Sequence, residues 1–478
     1  MFQSSDYLNL LQQLEHFFQD STSRKTMAEP FYGEGTHPLN PAVLREKLPL
    51  ALPAEGKPLQ KLNDDITNYL SHAVKTAHPA YFNQLWGGFN AACFMGDVLT
   101  SATNTSMYTH EVAPVATLIE KTLIAKVGEL IGFDNPEGQF TTGGSNGNLM
   151  ALAIARHRAF PKLKQAGLFQ QPRLIAFVSA ESHYSFDKAV QLLGIGSDNL
   201  WKVPADADGK MDVSALKDLI SKARYQGAEP FFVAGTAGTT VRGAYDPLDK
   251  IAAIARQENL WFHVDGAWGA SVLLSPTHRA LMKGVEQADS VVWDAHKMMG
   301  MTLICSMLVV NQRGAMMSTF SAKGTEYIFH DSEEDPTDLG PSTLHCGRRV
   351  DAVKLWLAWQ HLGDRGWETL LDRYFTLAAK AESIITAHKS LELVAERESV
   401  NLCFQYIPES NRYSANELTL EIRQRLIDRG LAMVNYAELD GKVFFRLVIC
   451  NNQTRLEDLE HFFESLIAIG QELDAPVL

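Results

Sequence analysis

Residues 260–265 read LWFHVD and residues 290–294 read SVVWD, and each of these apolar runs ends on an aspartate. Short continuous apolar runs rich in β-branched and aromatic residues are typical of strands buried on both faces of a sheet. Similar runs along the chain are LIAFVS (174–179), PFFVAG (230–235) and LICSMLVV (303–310). Helical periods separate them, at 144–158, 185–194, 213–225 and 246–258. This alternation predicts a large α/β domain with a mostly parallel sheet, covered by helices on both faces.

The N-terminal segment, residues 1–85, has a different texture. Helical patterns at 6–20 and 59–77 alternate with breaks that contain proline and glycine. The segment has too little apolar sequence to form a core of its own. We therefore expect it to pack on another part of the molecule or on a second subunit.

We place the large α/β domain at 86–349, and the C-terminal part follows it. Residues 350–478 begin with a helical pattern that predicts two helices broken near Gly363 to Gly366. The strand-like runs LELVAE, LCFQYI and KVFFRLVI then alternate with helical stretches at 416–429 and 456–472. This pattern predicts a small C-terminal α+β domain.

Composition and charge exclude several classes of protein. The chain has 478 residues, of which 46% are hydrophobic and 21% charged, and its formal net charge is −13. These fractions are ordinary for a globular protein and argue against disorder. The acidic surplus argues against a nucleic-acid binder and against binding to an anionic membrane, since both need a basic surface. If the protein binds anions, the attraction must be local.

Cysteine usage and the N-terminal residues indicate the compartment. The five cysteines are far apart and show no CxxC spacing, so neither a disulfide framework nor a metal site is expected. The first residues have no basic region followed by an apolar one, which argues against a signal peptide. The longest apolar runs fall short of the ~20 residues that a membrane span requires. We expect a cytoplasmic protein.

Three motifs carry candidate chemistry. TTGGSNGN at 141–148 enters a helix, where adjacent glycines and the helix N-terminus favour a phosphate group. Asp265 ends a buried strand, at the edge where open α/β sheets bind ligands. Lys297 follows another strand directly, and a desolvated lysine amine is the group that forms Schiff bases. Read alone, each motif also has a structural interpretation as a turn, a cap or a surface lysine.

Together the three motifs are more specific than any one of them. A phosphate anchor, a carboxylate for a pyridinium nitrogen and a lysine amine are what pyridoxal 5'-phosphate requires of a protein. Asp265 and Lys297 lie 32 residues apart, as a strand–helix–strand step allows. The sequence therefore predicts a pyridoxal-phosphate enzyme.

At these residues the chain resembles the group II pyridoxal-phosphate decarboxylases, and most of all their glutamate and cysteine sulfinate branch. The resemblance extends from HPAYFNQL (78–85) to FFRLVICN (444–451). It is especially close in SHYSFDKA (182–189), AGTAGTTVRGAYDP (234–247), LWFHVDGAWG (260–269) and HKMMG (296–300). It implies the fold-type-I architecture of those enzymes.

The resemblance also implies roles for individual residues at the cofactor. Lys297 binds pyridoxal phosphate covalently, Asp265 keeps its ring nitrogen protonated, and His183 stacks on the ring. The other positions implied to contact the cofactor are Gly144, Ser145, Thr236, Ala267 and His296. Two adjacent positions depart from the family pattern, because Asp294-Ala295 stands where relatives often carry Asn-Pro before the His-Lys pair.

Two further positions are assigned by resemblance to the substrate and to catalysis. Arg446 binds the α-carboxylate of the substrate, a pairing that an arginine makes in a bidentate manner. Tyr327 matches the mobile-loop tyrosine that protonates the α-carbon after carbon dioxide leaves, and the polar segment after it is suited to a lid. In this family the tyrosine acts at the partner subunit's site, which implies a homodimer with shared active sites. A packing role for Tyr327 is the alternative.

Four residues bear on substrate choice. The Ser106/Tyr108 pair resembles the cysteine sulfinate branch, and Trp86 replaces the small residue typical of the glutamate branch. An indole at this position shortens the pocket, and the Gln84 amide with the two hydroxyls could hydrogen-bond a distal carboxylate or sulfinate. The alternative is that Trp86 merely packs at a domain junction.

The sequence thus predicts α-decarboxylation of a short acidic amino acid, aspartate to β-alanine or cysteine sulfinate to hypotaurine. Glutamate decarboxylase and 2,4-diaminobutyrate decarboxylase are alternatives within the family. Transamination or carbon–sulfur cleavage would be another reaction of the same cofactor. A catalytically degenerate scaffold of the same fold is the alternative from a different class.

Overall fold

The computed structural model describes residues 4–22, 40–169, 171–325, 327–329, 338–410 and 412–475. The chain divides into two compact units. We call Asn90–Thr376 with Glu396–Val400 the large unit, and Met1–Phe89, Leu377–Ala395 and Asn401–Leu478 the small unit. The N-terminal segment is thus grouped with C-terminal elements, and residues 350–376 with the large unit, whereas the sequence suggested three consecutive parts.

The helices of the described residues are α1 (Ser4–Thr22), α2 (Pro41–Lys47), α3 (Leu62–His72), α4 (Ala91–Thr103), α5 (Pro114–Ile131), α6 (Gly144–Ala159), α7 (Leu163–Ala166), α8 (Ser185–Leu192), α9 (Val213–Tyr225), α10 (Leu248–Glu258), α11 (Ala315–Phe320), α12 (Ala352–Ala387), α13 (Ala415–Asp428) and α14 (Leu456–Asp474). Gly363 interrupts α12 with φ 63° and ψ 178°, which is the break expected from the sequence. No helix in these described ranges is long and apolar enough to cross a membrane.

The strands are β1 (Tyr81–Phe82), β2 (Glu137–Thr141), β3 (Leu174–Ser179), β4 (Leu200–Val203), β5 (Glu229–Thr236), β6 (Trp261–Asp265), β7 (Ser290–Asp294), β8 (Ser306–Val310), β9 (Leu391–Leu393), β10 (Asn401–Tyr406), β11 (Met433–Leu439) and β12 (Lys442–Val448). Every apolar run singled out above contains a strand, although LICSMLVV (303–310) and LELVAE (391–396) are strands over only part of their length. The pattern did not reveal β1, β2, β4 and β11. β1 has only two residues, and polar residues interrupt the other three (EGQFT, LWKV and MVNYAEL).

The large unit is built on a seven-stranded sheet with the order β2-β8-β7-β6-β5-β3-β4. Neighbours from β7 to β4 pair in parallel, while β8 is antiparallel to both β7 and β2. Apolar residues of helices α6 and α8, among them Met150 and Phe186, belong to one buried cluster with residues of β3 and β5. The predicted α/β class with a mostly parallel sheet is confirmed.

The parallel strands β5, β6 and β7 end on the residues that matter for the site. Their last residues are Thr236, Asp265 and Asp294, and Thr236 lies opposite Asp265 in the register. Because the carboxyl ends of parallel strands meet at one edge of the sheet, these three side chains emerge at the same edge.

The small unit contains a five-stranded sheet with the order β1-β11-β12-β10-β9. β1 comes from the N-terminal part and pairs in parallel with β11, and the other neighbours are antiparallel. Helix α13 begins with a capping box, in which Ser414 and Glu417 exchange hydrogen bonds with each other's backbone amides. The predicted small α+β domain is therefore present, with an additional strand from the N-terminal part.

Candidate active site

Lys297 and Asp294 form an ion pair in the turn that follows β7. Lys297 Nζ lies 3.1 Å from Asp294 Oδ2, and the Asp294 side chain is almost completely buried. Asp294 Oδ1 accepts a hydrogen bond of 2.5 Å from Ser306 Oγ on β8. Burial raises the pKa of Asp294, but Lys297, His296 and the Ser306 hydroxyl together lower it below its usual value. The departure from the family pattern thus places a carboxylate directly against the candidate cofactor lysine.

Asp265 is held by two hydrogen-bond donors at the end of β6. Asn148 Nδ2, one turn into α6, donates to Asp265 Oδ2 over 2.8 Å, and the Ala267 amide donates to Oδ1 over 3.2 Å. The side chain is 4% exposed. A carboxylate that accepts such bonds is fixed in orientation, as a partner for a ring nitrogen needs to be.

The start of α6 comes close to Asp294 and offers a phosphate site. A Cβ on Gly144 would lie 2.8 Å from Asp294 Oδ2, so only glycine allows this approach. Gly143 precedes the helix with φ 121°, and nothing lies within 4 Å of the place where its Cβ would be. The first amides of a helix have no intrahelical partner, and Gly143 has no side chain that could cap those of Gly144 and Ser145. Ser145 is exposed beside them.

Thr236 and the two histidines complete this part of the site. Thr236 Oγ1, at the end of β5, is buried and has no hydrogen-bond partner among the described residues. Burial lowers the pKa of His183 and is the largest effect on it. The carboxylates of Asp265 and Asp294 raise this pKa, and the charge of Lys297 lowers it. Burial also lowers the pKa of His296, whose Nδ1 lies 2.9 Å from the carbonyl oxygen of Cys305. Both rings are therefore neutral at pH 7.

Ser106 and Tyr108 lie in the large unit, on the loop after α4. The Ser106 hydroxyl donates to the Arg348 carbonyl (3.3 Å) and accepts from the Arg348 amide (3.1 Å). The Tyr108 carbonyl accepts a bond of 2.9 Å from the Gly340 amide. Ser106 Oγ is thus engaged by the backbone in this structure, whereas the sequence suggested a substrate contact.

Gln84, Trp86 and Arg446 lie in the small unit. Arg446, on β12, is 8% exposed and donates from Nη2 to the Asn83 carbonyl over 3.1 Å. The ring of the half-buried Trp86 lies 5.9 Å from that of Tyr81. The carbonyl of Gln84 accepts a weak bond from the Cys450 thiol at 3.9 Å. The burial of Arg446 agrees with its position between the apolar residues FF and LVI of the sequence.

Tyr327 is 77% exposed in the large unit, so its hydroxyl is open to solvent in one copy of the chain. Most of the predicted lid after it, residues 330–337, lies outside the described residues. Within the ranges that the structure describes, no group of His, Cys, Asp or Glu is arranged to bind a metal ion.

The sequence reasoning missed two residues that stand behind Asp265. Asn148 and His263 are fully buried, and His263 Nε2 lies 2.9 Å from Asn148 Oδ1. A signal was available, because the period of two along a strand puts His263 on the same face as Asp265.

The residues of the large unit fit pyridoxal phosphate. They offer a lysine amine, a fixed carboxylate, an unpartnered buried hydroxyl on Thr236, and the open, glycine-lined start of a long helix. These are the groups that the cofactor's aldehyde, ring nitrogen, ring hydroxyl and phosphate require.

Comparison with known proteins leads to the same class. The profile of the pyridoxal-dependent decarboxylase conserved domain matches residues 41–407, and the chain belongs to this family. It is thus a pyridoxal-phosphate-dependent carboxy-lyase.

Individual relatives are similar over nearly the whole chain. Human cysteine sulfinic acid decarboxylase is 37% identical, over 91% of this chain and 90% of that protein. The human acidic amino acid decarboxylase is 38% identical, over 91% of this chain and 85% of that protein. The crystal structure of mouse CSAD superposes with a TM-score of 0.92 at 35% identity, covering 98% of this chain and 100% of that one. The fold-type-I expectation is confirmed.

Proposed function

We propose that the protein removes the α-carboxylate of a short acidic L-amino acid, converting aspartate to β-alanine or cysteine sulfinate to hypotaurine. The observation that carries the proposal is the placement of Asp265 and Lys297 after the neighbouring parallel strands β6 and β7. The acidic substrate is supported by the similarity to the two human decarboxylases named above.

The cofactor site is assigned to residues of the large unit. Lys297 supplies the amine, Asp265 pairs with the ring nitrogen, and Gly144 and Ser145 bind the phosphate with the first amides of α6. Thr236, Ala267 and His296 line the ring and its phosphate. Pyridoxal phosphate, when bound, accepts the electron pair that is released as the bond to the α-carboxylate breaks.

The neutral ring of His183 is assigned to the face of the cofactor. A neutral imidazole stacks without adding a positive charge beside Lys297, and it has no charge of its own to desolvate. The Asp294 carboxylate pairs with the Lys297 ammonium and orients it in the chain without cofactor.

Substrate recognition is assigned to five residues. Arg446 binds the α-carboxylate, and its burial makes a charge-assisted pair with a carboxylate stronger than it would be in water. Trp86 limits the length of the substrate. Gln84 and Tyr108 offer hydrogen bonds to the distal acid group, and Ser106 takes part only if its bonds to Arg348 are exchanged.

The catalytic unit is proposed to be a homodimer in the cytoplasm. Large apolar side chains are exposed on one face of α4 (Met95, Val98 and Leu99) and on the start of α5 (Val115 and Leu118). Adjacent apolar residues of this kind mark protein–protein contacts. In such a dimer the exposed Tyr327 of one subunit would donate a proton to the α-carbon at the other subunit's site.

The decisive experiment is an assay of the purified, cofactor-loaded protein on aspartate, cysteine sulfinate, glutamate and 2,4-diaminobutyrate. We expect carbon dioxide release from one or both of the first two, with no keto acid formed. The Lys297→Ala variant, a control for cofactor attachment, should lose both the visible absorption band and the activity. Exclusive turnover of glutamate or of the diamine would refute the substrate assignment, and keto acid would refute the reaction.

A further inference from the structure

A line of buried polar side chains leads away from Asp265 into the large unit. Its members are Asn148 on α6, His263 and Trp261 on β6, and Ser290 on β7, and none is more than 1% exposed. None of them is near enough to the solvent to serve a surface role. Buried polar groups of this kind are costly unless each finds a partner, so their pairing is informative.

The pairing is complete along the line. Trp261 Nε1 donates to Ser290 Oγ over 2.8 Å, and Ser290 Oγ lies 2.8 Å from His263 Nδ1. His263 Nε2 lies 2.9 Å from Asn148 Oδ1, and Asn148 Nδ2 lies 2.8 Å from Asp265 Oδ2. The four contacts thus join the indole of Trp261 to the carboxylate of Asp265.

Chemistry fixes the direction of every bond in this line. An ionised Asp265 only accepts, so Asn148 must turn its amide nitrogen towards Asp265 and its oxygen towards His263. His263 must then carry its proton on Nε2. Burial lowers the pKa of His263 to about 3, so the ring is neutral and Nδ1 accepts from the Ser290 hydroxyl. That hydroxyl oxygen in turn accepts the proton of the Trp261 indole.

We propose that this line of hydrogen bonds, Trp261–Ser290–His263–Asn148, positions the Asp265 carboxylate as the partner of the cofactor's ring nitrogen. The inference rests on the role of Asp265 proposed above. Each group is neutral, so the chain supplies an oriented hydrogen-bond donor to the carboxylate without neutralising its charge. Asn148 and His263 are positioning residues that act through Asp265 and do not touch the substrate.

Two substitutions at His263 test the direction of the hydrogen bonds in this line. In His263→Gln the side-chain amide reaches the place of Nε2 and can still donate to Asn148, whereas in His263→Asn it reaches only the place of Nδ1. Asn148→Ala removes the last donor itself. Ser185→Ala is the matched control, because Ser185 Oγ accepts the other bond of Asn148 Nδ2, over 2.9 Å, and does not contact Asp265.

The measurement is the absorption spectrum of each variant loaded with pyridoxal phosphate, followed as a function of pH, together with kcat and KM. The midpoint is the pH at which the absorption band of the bound cofactor has changed halfway between its low-pH and high-pH forms. We expect Asn148→Ala and His263→Asn to shift this midpoint by about one pH unit or more. We expect them to lower kcat about tenfold or more with little change in KM. His263→Gln and Ser185→Ala should keep the wild-type midpoint.

Unchanged midpoints in both disrupting variants would overturn the proposal, even if the variants are less stable to heat. Equal shifts in His263→Gln and His263→Asn would overturn the assigned direction. Should Asn148→Ala not fold, the two His263 variants decide the outcome between them. The spectrum requires no amino acid, so a wrong substrate assignment leaves this test intact, and a wild-type protein without the band would refute the proposed cofactor site instead.

Discussion

At the scale of single residues, Tyr327 is assigned a catalytic role although its side chain is exposed in one copy of the chain. Its side chain is 77% exposed in one copy of the chain, which does not suit a packing role. We predict that Tyr327→Phe lowers kcat by roughly 10²–10⁴-fold, the usual effect of losing a general acid, with little change in KM.

The matched control for this prediction is Tyr225→Phe, since Tyr225 is 92% exposed and has no assigned role. Both variants should retain the cofactor's absorption band. Normal turnover by Tyr327→Phe would contradict the catalytic role and leave Tyr327 with a structural or surface role.

His263 provides a prediction about stability and pH. Its pKa is about 3 in the folded chain, against 6.5 when unfolded, because burial disfavours the charged ring. Between these values the unfolded chain binds more protons, so the folded state loses stability as the pH falls below about 6.5. At pH 5 this loss amounts to about 2 kcal/mol.

Urea denaturation of the full chain at pH 7.5 and pH 5 measures this effect. His263→Gln, which cannot be protonated, should lose about 2 kcal/mol less than the wild type between these pH values. His361→Gln, at an exposed position, is the control and should behave like the wild type. An equal loss in all three proteins would contradict the prediction.

At the scale of elements, the start of α6 depends on a close approach. In Gly144→Ala the new Cβ would lie 2.8 Å from Asp294 Oδ2 and 3.1 Å from Ala267 Cβ, so the helix start or the turn after β7 must move. We predict a loss of about 1–3 kcal/mol in stability, typical of overpacking, and weaker binding of pyridoxal phosphate.

Cofactor titration of the apoprotein and thermal unfolding test this prediction. Gly56→Ala is the control, since nothing lies within 4 Å of the place of its Cβ. If Gly144→Ala bound the cofactor as well as Gly56→Ala does, the first turn of α6 would not be part of the phosphate site.

A buried ion pair fastens the loop that carries Ser106 and Tyr108. Arg348 donates to Glu120 of α5 through Nη1 (3.2 Å) and Nη2 (2.9 Å), and also to the Phe140 carbonyl of β2. The Arg348 backbone in turn binds Ser106 and the Met107 amide. Removing one member of a buried pair leaves a charge without its partner, so Glu120→Ala should cost about 3–5 kcal/mol.

Thermal unfolding checks this cost, and the pair of Arg429 and Glu472 offers the comparison. That pair has a similar distance of 2.8 Å but lies at the surface, so Glu472→Ala should leave stability unchanged. Equal effects of the two substitutions would show that the buried pair does not hold the loop.

At the scale of the whole molecule, the proposed dimer can be tested by mixing inactive variants. If Tyr327 acts at the partner's site, a heterodimer of Lys297→Ala with Tyr327→Phe has one complete site. Random reassociation of equal amounts should then restore about a quarter of the wild-type activity. Half of the dimers are mixed, and each mixed dimer has one complete site out of two.

The same experiment distinguishes this arrangement from one in which Tyr327 acts at the site of its own subunit. In that case mixing restores no activity. Sedimentation of Val115→Arg is a separate check, since Val115 is 69% exposed on the apolar face of α5. A charge there should weaken association and lower activity together. A variant that stays dimeric and active would place the interface elsewhere.

Net charge acts at this scale as well. The formal charge of −13 repels an anionic cofactor and an acidic substrate at long range, although salt screens this effect beyond about 10 Å. In the proposed site, affinity would come from local donors such as Lys297, Arg446 and the first amides of α6.

Much of the fold was predictable because its signal is local. Apolar runs such as 174–179 and 290–294 become strands at those bounds, since a strand buried on both faces leaves little freedom in composition. Strands that are very short or have mixed faces, namely β1, β2, β4 and β11, carry weaker patterns and were missed. The pairing of β1 with β11 joins residues more than 300 positions apart, which no local pattern encodes.

The sequence by itself determined the family, and it indicated Lys297, Asp265 and the glycines at the start of α6 as the proposed site residues, because these depend on residue identity and spacing. Only the tertiary structure decided what surrounds them: Asp294 against Lys297, Asn148 and His263 behind Asp265, and Arg348 against Ser106. The physical reason is that a buried hydrogen bond depends on distance and direction between side chains from different elements, and those are set by how the elements pack.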